Sequence, residues 1–220
     1  MSYSIPSLRP FLTPIKISSG YGVSPSLLML HGESTPIIDS SSNNWTITNS
    51  NVTVSTSPTK FSSAGSMLFN KSSSSNLSIP NSSSFALSTY TIECFIYLNS
   101  LTSDMVIYGS QVNQVMIFIN SAGNLTLSNG VNTGSSSTTS ISTGSWVHIA
   151  VVNTSGGSCI GYIDGISSVT YYAGSISMSY GKIGSASYNA MYFDGYIDEF
   201  RISNSAIYTG NFTPPSAAFA

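Results

Sequence analysis

The stretch Thr91-Ile92-Glu93-Cys94-Phe95-Ile96-Tyr97-Leu98 decides the fold class of this chain. Ile92, Cys94, Ile96 and Leu98 fall on one side of an extended backbone, with Glu93, Phe95 and Tyr97 on the other. Successive strand side chains point to opposite faces, so a period of two marks a half-buried strand. The same texture recurs on both sides of it. Upstream, Leu27–His31, Trp45–Val54, Ser66–Phe69 and Asn76–Ile79 read as strands, and the opening stretch itself extends over Thr89–Leu98. Downstream come Met105–Tyr108, Val115–Ile119, Asn124–Leu127, Trp146–Asn153, Cys159–Asp164, Ser168–Tyr172, Gly181–Ile183 and Tyr192–Ser203. In the last of these, strict alternation sets Tyr196, Asp198 and Phe200 against Ile197, Glu199 and Arg201.

Between the strands lies turn chemistry: Asn129-Gly130, Gly156-Gly157, Asp164-Gly165 and Asp194-Gly195. No window carries the 3.6-residue period of a long amphipathic helix. Many short strands at roughly even spacing predict an all-β fold, two antiparallel sheets packed as a jelly-roll sandwich.

Residues 1–25 differ from the rest. Pro6, Pro10, Pro14 and Pro25 hold this segment extended, and Ile5, Leu8, Phe11, Leu12, Ile15 and Ile17 make it too apolar for a solvated tail. Two readings stand: an arm that packs on a neighbouring subunit or larger assembly, or one folded back on its own domain. The division is therefore a proline-rich N-terminal arm, 1–25, and a jelly-roll domain, 26–220.

Composition excludes several function classes. Only 6% of the 220 residues are charged, against roughly 25% in an ordinary domain. The net charge is −2, and the basic residues Arg9, Lys16, Lys60, Lys71, Lys182 and Arg201 are scattered. Phosphate backbones need clustered cations, so no nucleic-acid partner is expected. No segment is apolar for long enough to span a membrane. Met1 to Pro10 lacks a basic region followed by an apolar run, so no signal peptide is expected here, and the Asn-x-Ser/Thr triplets follow from a Ser/Thr/Asn-rich composition. Cys94 and Cys159 sit in apolar strand patterns, the usual setting of buried free thiols.

Three blocks resemble the laminin-G-like, concanavalin-A-like jelly-roll family over about residues 26–215. The first runs from Leu28-Met29-Leu30-His31-Gly32 through Ile38-Asp39-Ser40-Ser41 to Lys60-Phe61 and Met67-Leu68-Phe69. The second is Leu77-Ser78-Ile79-Pro80 followed by Tyr90 to Tyr97. The third joins Trp146-Val147-His148-Ile149-Ala150-Val151 and Gly161-Tyr162-Ile163-Asp164-Gly165 to Phe193-Asp194-Gly195-Tyr196-Ile197-Asp198-Glu199-Phe200-Arg201-Ile202-Ser203. Its ending, Ala206, Tyr208 and Asn211-Phe212-Thr213-Pro214-Pro215, is similar to the close of such domains in phage and other microbial surface proteins.

The resemblance implies a binding or structural module. It brings Asp39 near Asp198, where many such domains hold a structural calcium ion. The alternative has Asp39 capping a turn and Asp198 accepting from loop amides. The loop after Asp39 lacks the family's usual glycine, which weakens a metal site there.

No catalytic constellation is legible. Glycosidases on this sandwich need two carboxylates across a cleft, and Thr89–Leu98 offers only Glu93. His148, between Val147 and Ile149, reads as a sheet histidine rather than a base. Tyr171, Tyr172, Tyr180, Tyr188 and Tyr192 gather late in the chain and suit either a glycan or a protein interface, or simply cover a sheet.

The expectation is a non-enzymatic virion structural protein: a capsid decoration, head fibre or tail-associated module. It would be docked through its arm to capsid or tail proteins or to its own copies, displayed on the virion surface and open to surface glycans. The alternative is a lectin module of an extracellular or cell-surface adhesion protein.

Overall fold

The computed structural model describes residues 26–61, 65–130, 134–171, 178–186 and 191–220. The arm, with its apolar residues Ile5, Leu8, Phe11, Leu12, Ile15 and Ile17, lies outside them, as do Tyr172 and Tyr188.

The described strands form two antiparallel sheets. The first runs β13 (Ile166–Tyr171), β12 (Cys159–Ile163), β11 (Trp146–Asn153), β6 (Tyr90–Leu98), β15 (Gly195–Ser203), β4 (Ser66–Phe69) and β3 (Thr53–Ser55), with β1 (Ser26–Leu30) also paired to β15. The second runs β10 (Ser135–Ser140), β9 (Asn124–Ser128), β8 (Met116–Ile119), β7 (Met105–Gly109), β14 (Lys182–Ile183), β5 (Asn76–Ser78) and β2 (Thr48–Ser50). The predicted all-β sandwich is what the chain adopts. Its core lies between the inner faces, where Ile92, Cys94, Ile96 and Leu98 of β6 meet residues such as Leu77, Ile107, Ile117, Leu127 and Ile183 of the other sheet. Burying each large apolar side chain contributes roughly 1.5–3 kcal/mol, which is why local alternation predicts the inner face so well. Both cysteines are free and buried.

Three local readings change. The predicted strand Trp45–Val54 is two short strands, one in each sheet. Asn51 takes a left-handed conformation (φ 61°), and the Asn49 side chain bonds both the N–H and the carbonyl of Val52 at 2.9 Å, turning the chain from sheet to sheet. Strand β10, all Ser and Thr, was not expected. It carries no apolar alternation and forms through backbone pairing with β9.

The third change is in β15. Phe200 is not on the face of Tyr196 and Asp198 but in the core with Ile197 and Ile202. Across to β6, Asp198 pairs Phe95 and Arg201 pairs Glu93, so Glu199 and Phe200 together oppose Cys94. This is a β-bulge, with Glu199 at φ 52°. The bulge lies where the outer neighbour of β15 changes. Gly195, Tyr196 and Ile197 pair with β4, whereas Phe200, Arg201, Ile202 and Ser203 pair with β1.

On the outer face of the first sheet, the C-terminal segment forms a second packed layer. Ala150, Val152, Tyr162 and Tyr208 are buried together, with Ile160, Ala206, Ile207 and Phe212 against them. Tyr208 and Phe212 stack at 3.5 Å. Phe212 can approach only because residue 165 is glycine: a Cβ there would stand 1.9 Å from the Phe212 carbonyl oxygen.

Candidate functional site

Three adjacent strands set the geometry. Since Val147, Ile149 and Val151 of β11, Ile96 of β6 and Ile197 of β15 point inward, Trp146, Tyr97 and Tyr196 point outward. The register pairs Trp146 with Tyr97 and Tyr97 with Tyr196, so the three rings form one row across the sheet. Tyr97 lies 5.7 Å from Trp146 and 5.7 Å from Tyr196, edge to face with each. All three are half-buried. Gly195 keeps β15 close at this level, for a Cβ there would stand 2.1 Å from the Tyr97 carbonyl oxygen. The Trp146 indole Nε1 is buried and has no hydrogen-bond partner among the described residues. Inclined, half-exposed rings offer apolar faces that a sugar ring can lie against, with tyrosine hydroxyls at the edge.

Next to this row, part of the same face is closed. His148 is buried between the Phe95 and Phe212 rings, at 4.7 and 5.7 Å. Its Nε2 is 3.3 Å from Glu93 Oε2, close but not aligned as a hydrogen bond, and Nδ1 has no partner among the described residues. Glu93 is buried and accepts from Arg201 Nε (3.0 Å), Arg201 Nη2 (2.6 Å) and the Tyr208 hydroxyl (2.8 Å). The Phe219 ring covers the Arg201 guanidinium at 4.0 Å, and the Phe219 N–H donates to Glu199 Oε2 at 2.6 Å. The other Glu199 oxygen lies 2.8 Å from His31 Nδ1.

These carboxyl groups differ in acidity. Burial, reinforced by the charge of Glu199, pushes Asp198 up to about 7 although it accepts from the Lys60 and Glu199 amides. Burial also opposes ionisation of Glu93, but His148 and Arg201 outweigh it and its pKa falls. Two carboxyls with acidities driven apart could serve acid–base chemistry. Here both are buried, Glu93 under the C-terminal layer and Asp198 under the Lys60-Phe61 segment, whose Lys60 ammonium and Phe61 ring lie on Phe95.

Asp39 is buried, and its oxygens accept from the amides of Met29, Ser41 and Trp45 at 2.9 Å and from the Ser41 hydroxyl at 2.7 Å. N–H and O–H groups aimed at a carboxylate suit an anion, not a shared calcium ion, and among the described residues no three His, Cys, Asp or Glu side chains converge on a point. The arrangement around Asp39 and Asp198 fits turn-capping and amide-accepting roles and does not fit the ion.

The tyrosines divide. Tyr171 is a core residue, 3% exposed, so it belongs to no binding face: it lies on the inward-facing phase of β13 with Val169. Tyr192 is half-buried, and Tyr180 is half-buried at a cleft on the second sheet. The aromatic row was missed because its members stand far apart in sequence. The signal was present, however, in the outward phase of three alternating strands.

The family model for the concanavalin A-like lectin/glucanases superfamily matches residues 71–209. The chain belongs to this superfamily. No curated protein matches it in sequence. Among solved structures, this superfamily member is similar to domain 4 of AbnA, an extracellular GH43 arabinanase from Geobacillus stearothermophilus, in complex with arabinotriose. There the identity is 18%, the TM-score 0.62, and 83% of this chain and 94% of that one are covered. It is also similar to the binding domain of botulinum neurotoxin DC in complex with SialylT (14% identity, TM-score 0.61, 83% and 48% covered). A botulinum neurotoxin type C structure, whose cell entry depends on two ganglioside molecules, matches at 15% identity and TM-score 0.62, again over 83% and 48%. The superfamily member thus spans about half the length of the neurotoxin chains, and at these identities the likeness shows the fold.

Proposed function

We propose that the chain is a non-enzymatic glycan-recognition module of a larger surface assembly, with the row Trp146–Tyr97–Tyr196 as its sugar-facing surface. The row carries this reading: it is an aromatic surface left half-exposed on a sheet face part of which the chain covers with its C-terminal segment and with Lys60 and Phe61. Several similar structures are binding domains, and one is seen with an oligosaccharide. The buried, fully engaged Glu93 supports a binding role over hydrolysis.

The assembly we favour is a virion, with the chain as a capsid decoration, head fibre or tail-associated module joined through residues 1–25. The low charge, the hydroxyl-rich composition and the apolar arm support it. In the alternative, a lectin module of a cell-surface protein, the arm makes no assembly contact.

The test is a glycan array followed by titration calorimetry with the best oligosaccharide. A shallow row of this kind should bind in the micromolar to millimolar range, roughly −8 to −4 kcal/mol. Trp146→Ala and Tyr97→Ala should each abolish detectable binding, while Trp146→Phe, which keeps a ring and removes the unpartnered N–H, should retain it. Equal binding by Trp146→Ala would exclude the row. The same preparation should leave β-glucan unhydrolysed, and hydrolysis lost on Glu93→Gln would overturn the non-enzymatic part.

A further inference from the structure

The outer face of the second sheet holds a different kind of site. Lys182, Ser78 and Thr48 are register partners across β14, β5 and β2, and they stand on one rung. Their sequence neighbours Ile183 and Leu77 point into the core, so Lys182 and Ser78 point outward. Beside the rung, Pro80, Asn81 and Tyr180 complete the walls of a cleft of about 300 Å³. Gly109, next on the rung, adds no side chain.

Lys182 is distinctive for a reason of charge. Among the described residues, Arg201 is paired with Glu93, Lys71 bonds the Ser103 hydroxyl, and Lys60 lies over the Phe61 and Phe95 rings. Alone of the described cations, Lys182 meets no hydrogen-bonding, ion-pair or ring partner for its side chain among the described residues. In a chain with so few charges, an unpaired ammonium in a cleft is not part of a general solvated face.

We propose that this cleft binds a carboxylated pyranose, such as a sialic or uronic acid residue. The ammonium of Lys182 would meet the carboxylate as a point charge. The hydroxyls of Ser78 and Thr48 and the amide of Asn81 match a ring edge that alternates donors and acceptors, and Tyr180 supplies an apolar wall. The volume suits one sugar unit rather than an extended chain. The cleft lies on the opposite side of the sandwich from the aromatic row and does not depend on the row being a binding face.

The experiment is NMR or calorimetric titration of the full chain with N-acetylneuraminic acid, glucuronic acid, glucose and inorganic phosphate. The acidic sugars should bind with millimolar affinity, weakening as salt rises, and glucose and phosphate at least tenfold more weakly. Lys182→Gln should lower acidic-sugar affinity tenfold or more, and Asn81→Ala should lower it less. In the NMR titration the shifts should map to Lys182, Ser78 and Asn81 and not to Trp146, which separates this site from the row. No binding of either acidic sugar by the unaltered chain would overturn the proposal. So would binding insensitive to Lys182→Gln, or phosphate binding as tight as the sugars.

Discussion

Arg201 holds Glu93 with two donors on one oxygen, Nε at 3.0 Å and Nη2 at 2.6 Å, under the ring of Phe219. The pair joins β15 to β6 at the register position Arg201–Glu93 and sits directly beyond the bulge. Removing one member strands a buried charge. Arg201→Met should therefore cost about 3–5 kcal/mol of unfolding free energy, measured by urea denaturation. Replacing both members with apolar residues should cost much less. Equal losses in the single and double variants would mean that the pair acts by packing and not by charge.

Stability should be greatest in mildly acid solution. The Asp198 pKa is raised, by burial first, to about 7, so the folded state binds a proton that the unfolded chain has released. Stability from this group therefore falls as pH rises from about 4 towards 7. His31 is raised by its bond to Glu199, so its contribution is full below the unfolded value of 6.5 and is lost as pH rises through the folded value. Glu93 is lowered, so its contribution is present above its ordinary value of 4.5 and disappears as pH falls further. The melting temperature should peak near pH 5 and decline towards pH 8, and Asp198→Asn should flatten the decline. A melting temperature that climbs from pH 5 to pH 8 would contradict the assignment.

Calcium should leave the melting temperature unchanged. A ligand that binds only the folded state stabilises by mass action, so an ion at Asp39 and Asp198 would show as a rise reversed by chelator. With the Asp39 oxygens already accepting four hydrogen bonds, no rise is expected. A reversible increase of several degrees would restore the metal.

Deleting residues 1–25 should leave a folded domain that no longer joins its assembly. The first described strand, β1, begins at Ser26 and pairs with β15, and the described residues from that point on form two sheets with a packed core between them. The arm's prolines limit the entropy lost on ordering, and its large apolar side chains would each contribute roughly 1.5–3 kcal/mol if buried against a partner. Circular dichroism of the truncated chain should match the full chain. Sedimentation or particle-binding assays should show the loss. A truncated chain that fails to fold would instead make the arm part of the sandwich.

Much of the fold was legible because alternation is a local property. Ile92, Cys94, Ile96 and Leu98 point inward wherever β6 is placed, since burial rewards one phase of an extended chain. The strands that escaped notice are those whose stability is not written in their own side chains. The Ser/Thr strand β10 exists through its backbone pairing with β9, and the Thr48–Ser50 and Thr53–Ser55 strands are separated by a side-chain-braced turn at Asn51. Of the late tyrosines, Tyr171 departs from a binding face for a related reason: nearness in sequence to the others brought it no nearer the surface, because its strand turns it inward.

By itself, the sequence determined the class of fold, the inward face of most strands and the scarcity of charge, each a matter of composition or of period two. Only the tertiary structure decided which outward residues meet. Strand register aligns Trp146 with Tyr97 and Tyr196, and Lys182 with Ser78 and Thr48. The bulge at Glu199 reverses the phase of β15, sending Phe200 into the core and Arg201 to Glu93. Register and bulges are fixed by pairing between distant segments, whose energies no local window of sequence contains.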